Sequence, residues 1–311
     1  MKKNSILIAL ALFSAGGTWA EELPKDTLKV IDVEEIVVIA APKENRKLRE
    51  QPTAVTMLSQ QDMQANQVNS IKSLTALVPN IFIPDYGSKL TSAIYIRGIG
   101  SRINTPSVGL YVDNVPYIDK SAFDFNYADI ERIDVLRGPQ GTLYGRNTMG
   151  GLIKVHTKSP FSYQGTDLRL SAGTYDNYNA SVTYYHRMSN QFAFSTGAFY
   201  EYGGGFFKNT YLNKKIDKSQ AAGGRFRGIY LPSENMKLDL NVSYEYSDQG
   251  GYAYGAYDKH TGTYLKPAYN DPSSYYRNLL NAGLNLEYQG DHFTLSSVCL
   301  LYTSDAADEG L

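Results

Sequence analysis

Cysteine is nearly missing from this chain. Cys299 stands alone, so no intrachain disulfide and no cysteine-built zinc site can form. Histidine is almost as scarce: His156, His186, His260 and His292 are widely spaced and show no ligand pattern, so no metal site is expected. Neither sign of charge dominates. The 311 residues carry 30 Lys+Arg against 31 Asp+Glu, a net −1, which gives no reason to expect a nucleic-acid partner. Long apolar runs are missing too, and Ile6–Phe13 is too short to cross a bilayer as a helix. No GxxxxGK[ST] phosphate loop occurs. No nucleophile, base and oxyanion set can be assembled, and no paired-carboxylate site; Asp124, Asp129 and Asp134 read as turn and strand residues. The chain is therefore not read as an enzyme, and no catalytic residue or cofactor is assigned.

Tyrosine is what the chain has in excess: 26, against 12 Phe and 1 Trp, concentrated after residue 160. From Thr166 the sequence alternates in long stretches. Met236, Leu238, Leu240, Val242, Tyr244 and Tyr246 interleave with Lys237, Asp239, Asn241, Ser243, Glu245 and Ser247. Tyr178–Tyr184 and Leu280–Tyr288 repeat the pattern, and about seven such strands are expected. A soluble sandwich would bury the apolar face against a second sheet; an outer-membrane barrel would give it to lipid. A mean hydropathy of −0.34 does not exclude the barrel, whose strands alternate lipid-facing and lumen-facing residues. The connections favour it. Short turns at Met188–Gln191, Pro232–Asn235 and Gly290-Asp291 alternate with long ones at Gly203–Lys218 and Asp248–Ser273. That is the end-to-end asymmetry of such barrels.

Residues 1–20 read as a secretory signal, with Lys2 and Lys3 before the apolar core and Thr18-Trp19-Ala20 as the cleavage site. Residues 21–44 read as a flexible leader. Residues 45–160 alternate elements and form a small α+β domain. Strands are expected at Pro52–Leu58, Asn80–Ile83 and Ala93–Arg97. A helix capped by Ser59 is expected to run to about Gln67, and a second one, capped by Asn69 or Ser70, to end at Pro79. Val108–Asp113 and Val115–Ile118 predict a hairpin turning at Asp113-Asn114.

The domain is organised around Leu136–Gly151, LRGPQGTLYGRNTMGG. Gly138-Pro139, Gly141, Gly145 and Gly150-Gly151 break the backbone at short intervals between two strand-like runs, Ile130–Leu136 and Leu152–Thr157. With Ile94–Gly98 (IYIRG), Val108–Ile118 (VGLYVDNVPYI), Asp129–Leu136 (DIERIDVL) and Gly151–Pro160, this stretch resembles the plug domain of TonB-dependent outer-membrane receptors over roughly a hundred residues in order.

The resemblance implies an α+β plug domain at 45–160, followed at 161–298 by an incomplete antiparallel transmembrane β-barrel, the first strands of a 22-stranded barrel. It implies TonB-dependent import of a scarce nutrient across the outer membrane of a Gram-negative bacterium. The cargo would be a ferric siderophore or another iron chelate, with haem, cobalamin or glycan import, or a surface binding or adhesion receptor without transport, as alternatives. The implied partners are TonB with its inner-membrane energising complex, the lipid bilayer and lipopolysaccharide, and a small metal chelate as cargo. By type and place Glu35, Ile36, Val37, Val38, Ile39 and Ala40 resemble a TonB box; a β-branched run on a tether can add as a strand to a partner's sheet edge. Cargo contacts fall by resemblance on Asp85–Leu90 and Gly100–Pro106, with Tyr86, Lys89, Arg102 and Asn104 as candidates. Tyr252 and Tyr254 of Gly250–Tyr257 form a second set. Arg97, Gly98, Arg137, Gly138, Gly141, Gly145, Arg146, Gly150 and Gly151 are read as structural, the arginines as partners of barrel acids. The segment 299–311, beginning CLLYTSDAADE, loses the alternation and resembles a translated sequencing-library adapter, so it is expected to be a non-native tail on a truncated chain.

Overall fold

The computed structural model describes residues 54–68, 70–84, 93–101, 105–119, 122–124, 129–251 and 253–309, the last five by backbone alone. All fall within one compact unit, 39–311.

The first layer is a five-stranded sheet with helices on one face. Strand β1 (Ala54–Ser59) leads directly into α1 (Gln60–Ala65). Ser59 and Asp62 form a reciprocal capping box: Ser59 Oγ accepts from the Asp62 amide at 3.2 Å, and the Ser59 amide donates to Asp62 Oδ2 at 2.9 Å. Ser70 caps the next helix as expected. That helix is split into a 3₁₀ turn, Ile71–Ser73, and a short α2, Leu74–Leu77. Ile71, Leu74 and Val78 are still buried on one side.

Strands β2 (Ile81–Phe82), β3 (Tyr95–Ile96) and β4 (Ile99–Gly100) make a separate small sheet, shorter than the alternation suggested. The main sheet runs β1, β7 (Ile130–Arg137), β8 (Gly151–Thr157), β5 (Val108–Val112), β6 (Val115–Tyr117). All pairs are antiparallel except β5 with β8. Leu110, Val112, Ile133, Val135, Ile153 and Val155 close the core against the helices. The glycine-rich loop between β7 and β8 contains a single helical turn, α3 (Gly141–Tyr144), which its composition did not announce. Gly151 closes that loop so tightly that a Cβ there would run into the Leu136 carbonyl.

The second layer is an open, wholly antiparallel sheet of seven long strands. In chain order they are β9 (Gly165–Gly173), β10 (Asn177–Arg187), β11 (Phe192–Gly203), β14 (Ser219–Ser233), β15 (Met236–Gly250), β18 (Ser274–Gln289) and β19 (Thr294–Glu309). Two small hairpins occupy the long connections: β12 (Lys208–Asn209) with β13 (Lys214–Lys215), and β16 (Tyr257–Asp258) with β17 (Thr263–Tyr264). The segment read as a non-native tail continues β19, paired with β18 to Ser274↔Glu309.

This sheet is inside-out by the standard of a soluble protein. Leu168, Leu170, Val182, Phe226, Leu240 and Leu284 lie exposed on one face, while Ser181, Thr183, Arg227, Asp239, Asn241 and Glu245 are buried on the other, toward the α+β domain. Near the short turns, the exposed face gathers an aromatic cluster. Phe194 packs within 6.3 Å, centroid to centroid, of Tyr184, His186, Phe192 and Phe226.

Candidate functional site

The hairpin β5–β6 turns on Asp113 (φ +47°) and Asn114 (φ +66°), the positive-φ pair of a type I′ turn. This tight turn drives the Asp113 carboxylate into the seven-stranded sheet. Its side chain is 3% exposed. Arg225 Nη2 donates to Asp113 Oδ2 at 3.0 Å, and Arg227 Nη1 lies 3.1 Å from Oδ1. Thr157, at the end of β8, adds its amide at 2.9 Å and its hydroxyl at 2.7 Å. Burial acts to raise the Asp113 pKa, but the Arg227 and Arg225 charges and the Thr157 hydrogen bonds outweigh it and hold the carboxyl below the usual range.

The network spreads sideways. Arg225 Nη1 reaches Asp129 at 3.3 Å. Arg227 forks onto Asp239 at 2.7 and 3.1 Å and donates to the Thr157 hydroxyl at 2.8 Å. Asn285 Nδ2 donates to the Asp113 carbonyl at 2.9 Å. On the same seam Gly283 faces Val115, and a Cβ on Gly283 would lie 2.5 Å from a valine methyl. Beside this contact a crevice of about 60 Å³ separates Tyr117 and Asp129 from Ser181, Thr183, Ser195 and Ser243, room enough for water.

A second tie sits where the α+β domain hands over to the sheet. Lys158 Nζ donates to Asp167 Oδ2 at 2.5 Å and lies 4.2 Å from the Tyr163 ring centre, and Tyr163 Oη donates to Asp167 Oδ1 at 2.6 Å. The domain is thus tied to the sheet by charge and hydrogen bonding at its strand ends, with Val115 packed against Gly283 between them.

Several residues singled out from the sequence fall elsewhere. Glu35–Ala40, Tyr86, Lys89, Arg102, Asn104 and Tyr252 lie outside the described residues. Tyr254 is exposed on the second long connection. Gly98, Gly138, Gly145 and Gly151 do take positive φ, Gly150 abuts the Ile99 carbonyl, and Gly141 opens α3 with free space around it. Arg97, Arg137 and Arg146 were expected to pair with barrel acids. Arg137 donates to the Pro79 carbonyl at 3.2 Å, and Arg97 and Arg146 are exposed. The described ion pairs across the seam at Asp113 and Asp129 run the other way, acids on the α+β domain and arginines on the sheet. Asp113, Asp129, Arg225 and Arg227 were missed. No pattern marked the arginines: their register of β14 also holds Ala221, Gly223, Ile229 and Leu231. Among the described residues no group of three His, Cys, Asp or Glu could hold a metal ion, and no helix is long and apolar enough to cross a membrane.

Residues 47–152 match the model of the TonB-dependent Receptor Plug Domain. The chain is 30% identical over 151 residues to a pesticin receptor of Yersinia pestis, which covers 48% of this chain and 22% of the relative. It is 28% identical over 230 residues to the vitamin B12 transporter BtuB of Vibrio vulnificus, covering 70% and 34%. In structure it resembles the ferric yersiniabactin uptake receptor FyuA of Yersinia pestis, with a TM-score of 0.72 at 21% identity over 82% of this chain and 41% of that one. The ferric-catecholate import receptor Fiu of E. coli K12 gives 0.67 at 18% identity, over 86% and 41%. The chain therefore spans about a fifth to a third of the curated relatives it matches.

Proposed function

We propose, for a chain that carries the plug domain and wall strands of a TonB-dependent outer-membrane receptor, that it serves the active import of a scarce nutrient, an iron chelate of the ferric-siderophore type. The observation that carries this reading is the seam. A folded α+β domain is fastened by Asp113 and Asp129 to Arg225 and Arg227 on the polar face of a sheet whose other face is apolar and exposed. A fastening made of ion pairs and hydrogen bonds can be remade after each cycle, and it suits a gate that must hold shut and still yield. The energy for yielding would come from TonB, through Glu35–Ala40 docking as an added strand.

The test uses the complete receptor. Val37→Pro removes a ladder donor. Cargo binding should survive and uptake should stop. Normal uptake by this variant sinks the TonB-box assignment. Cobalamin is the second reading, because one relative is named a vitamin B12 transporter. Growth of a knockout on defined iron sources, haem and cobalamin separates the two.

A further inference from the structure

The crevice beside the seam is a weakness in the barrier. Its wall side carries the short hydroxyl side chains Ser181, Thr183, Ser195 and Ser243, and its plug side carries Tyr117 and Asp129. About 60 Å³ between groups of this kind is a space for water, since a dry cavity would need apolar walls. In an outer-membrane receptor, a wet gap between plug and wall is the start of a leak.

The inward register of β10 shows where the gap stops. Ser181 and Thr183 line it, and the next residue on that face is Tyr185, about 7 Å further along the strand toward the short turn 188–191. Tyr185 stands directly opposite Ser195 in the β10–β11 ladder and is 1% exposed. The ring of Tyr163, from the segment that leads out of the plug, meets it edge-on, with centroids 4.9 Å apart and planes at 87°. Lys158 Nζ lies 4.2 Å from the centre of the Tyr163 ring and 5.9 Å from that of Tyr185. Asp167 accepts from both Lys158 and the Tyr163 hydroxyl, so an ion pair keeps this ring in place. Two rings thus end a row of hydroxyls, one from the wall and one from the handover segment.

One atom does not fit this packing. The Tyr185 hydroxyl is buried and has no hydrogen-bond partner among the described residues. The Tyr163 hydroxyl, by contrast, is committed to Asp167. A buried hydroxyl without a protein partner is satisfied by water where a polar space adjoins it.

We infer that Tyr185 is the permeability seal of this seam. Its hydroxyl meets the last water of the crevice, and its ring, packed on Tyr163, denies the rest of the path to ions and small polar solutes. The seal belongs to the receptor at rest and is independent of what the receptor imports.

The experiment records ion conductance through the complete receptor in planar bilayers, with potassium chloride as the only solute and no TonB. The parent should be silent. Tyr185→Phe keeps the ring and should stay silent. Tyr185→Ser carries the hydroxyl row through and should gain a steady conductance, as should Tyr163→Ala, which removes the other ring. A loosened plug would give the same gain, so the double variant Tyr185→Ser, Ser195→Tyr is measured beside them. It returns a ring from the facing position and should restore silence. Radiolytic labelling supplies a second readout, because bound water oxidises the side chains it touches. Tyr185 should be labelled despite its burial, while Phe123, equally buried in the apolar core of the plug, should be spared. A conducting parent, a conducting Tyr185→Phe receptor, silence with either ring removed, conductance that the ring swap leaves in place, or an unlabelled Tyr185 would overturn the inference. Neither cargo nor TonB takes part, so failure here leaves the Val37→Pro uptake test to judge the import reading by itself.

Discussion

Asp113 and Arg225 meet at 3.0 Å across 112 residues of chain, one at the tip of a plug hairpin and the other on the inner register of a wall strand. Neither has a solvated alternative, since the aspartate side chain is 3% and the arginine 17% exposed. Replacing Asp113 by Ala leaves two guanidinium groups facing a gap, with Asp129 and Asp239 as their remaining acids. Loss of one member of a buried pair costs about 3–5 kcal/mol. The complete Asp113→Ala receptor should release its plug to limited proteolysis at a lower denaturant concentration than the parent does.

The same carboxylate sets an acid limit. Its pKa is lowered in the folded protein, so its contribution is fully present above the unfolded value, about 3.9, and fades as pH falls through the lower folded value. Thr157 reports this directly, since its amide donates to Asp113 Oδ1. Its hydrogen-exchange protection should hold from neutral pH to about 4 and then drop, whereas Asp113→Asn should lack that acid step. An unchanged step in the Asn variant would assign it to another group.

Gly283 tests the closeness of plug and wall. Its missing side chain is what lets Val115 approach. Gly283→Ala should cost about 1–3 kcal/mol by overpacking, and Val115→Ala in the same chain should recover part of it. Additive losses in the double variant would show that the two residues do not share the space.

The exposed apolar face makes its own prediction. Leu240 is 39% exposed on β15, in the register opposite the buried Asp239 and Asn241. A lysine on the lipid face of a barrel costs about 2–4 kcal/mol near the bilayer midplane. Leu240→Lys should lower the temperature at which the complete receptor loses heat-modifiable mobility.

Much of this architecture was legible in the chain because it is written locally. Alternation from Met236 to Tyr246 fixes which register is apolar, and β15 follows it. The Asp113-Asn114 pair fixes a two-residue turn, and Ser59 with Asp62 fixes a helix start. What escaped has no local mark. Arg225 and Asp113 carry no sequence sign of each other, and only folding brings them together. The acids were therefore read as turn and strand residues, and Arg225 and Arg227 were not singled out. The turn α3 was missed because Gly141 and Gly145, read as breakers, bound the four-residue segment they were expected to prevent. The small hairpins in the outer connections were missed for a related reason: two-residue strands such as Lys208–Asn209 are too short to show a period.

The separation of the seam's partners also sets an order in time. Asn285, whose amide holds the Asp113 carbonyl, lies 172 residues downstream of it. A chain made from its N-terminus has its plug core, with contacts largely within residues 54–157, available to fold long before that wall strand exists. During the interval Asp113 keeps its Thr157 hydrogen bonds within the plug but lacks its two arginines. Docking is then the late step of maturation, and it waits on the wall. A receptor stalled in assembly should carry a finished plug with an exposed acidic tip, recognisable by an antibody that the mature protein excludes.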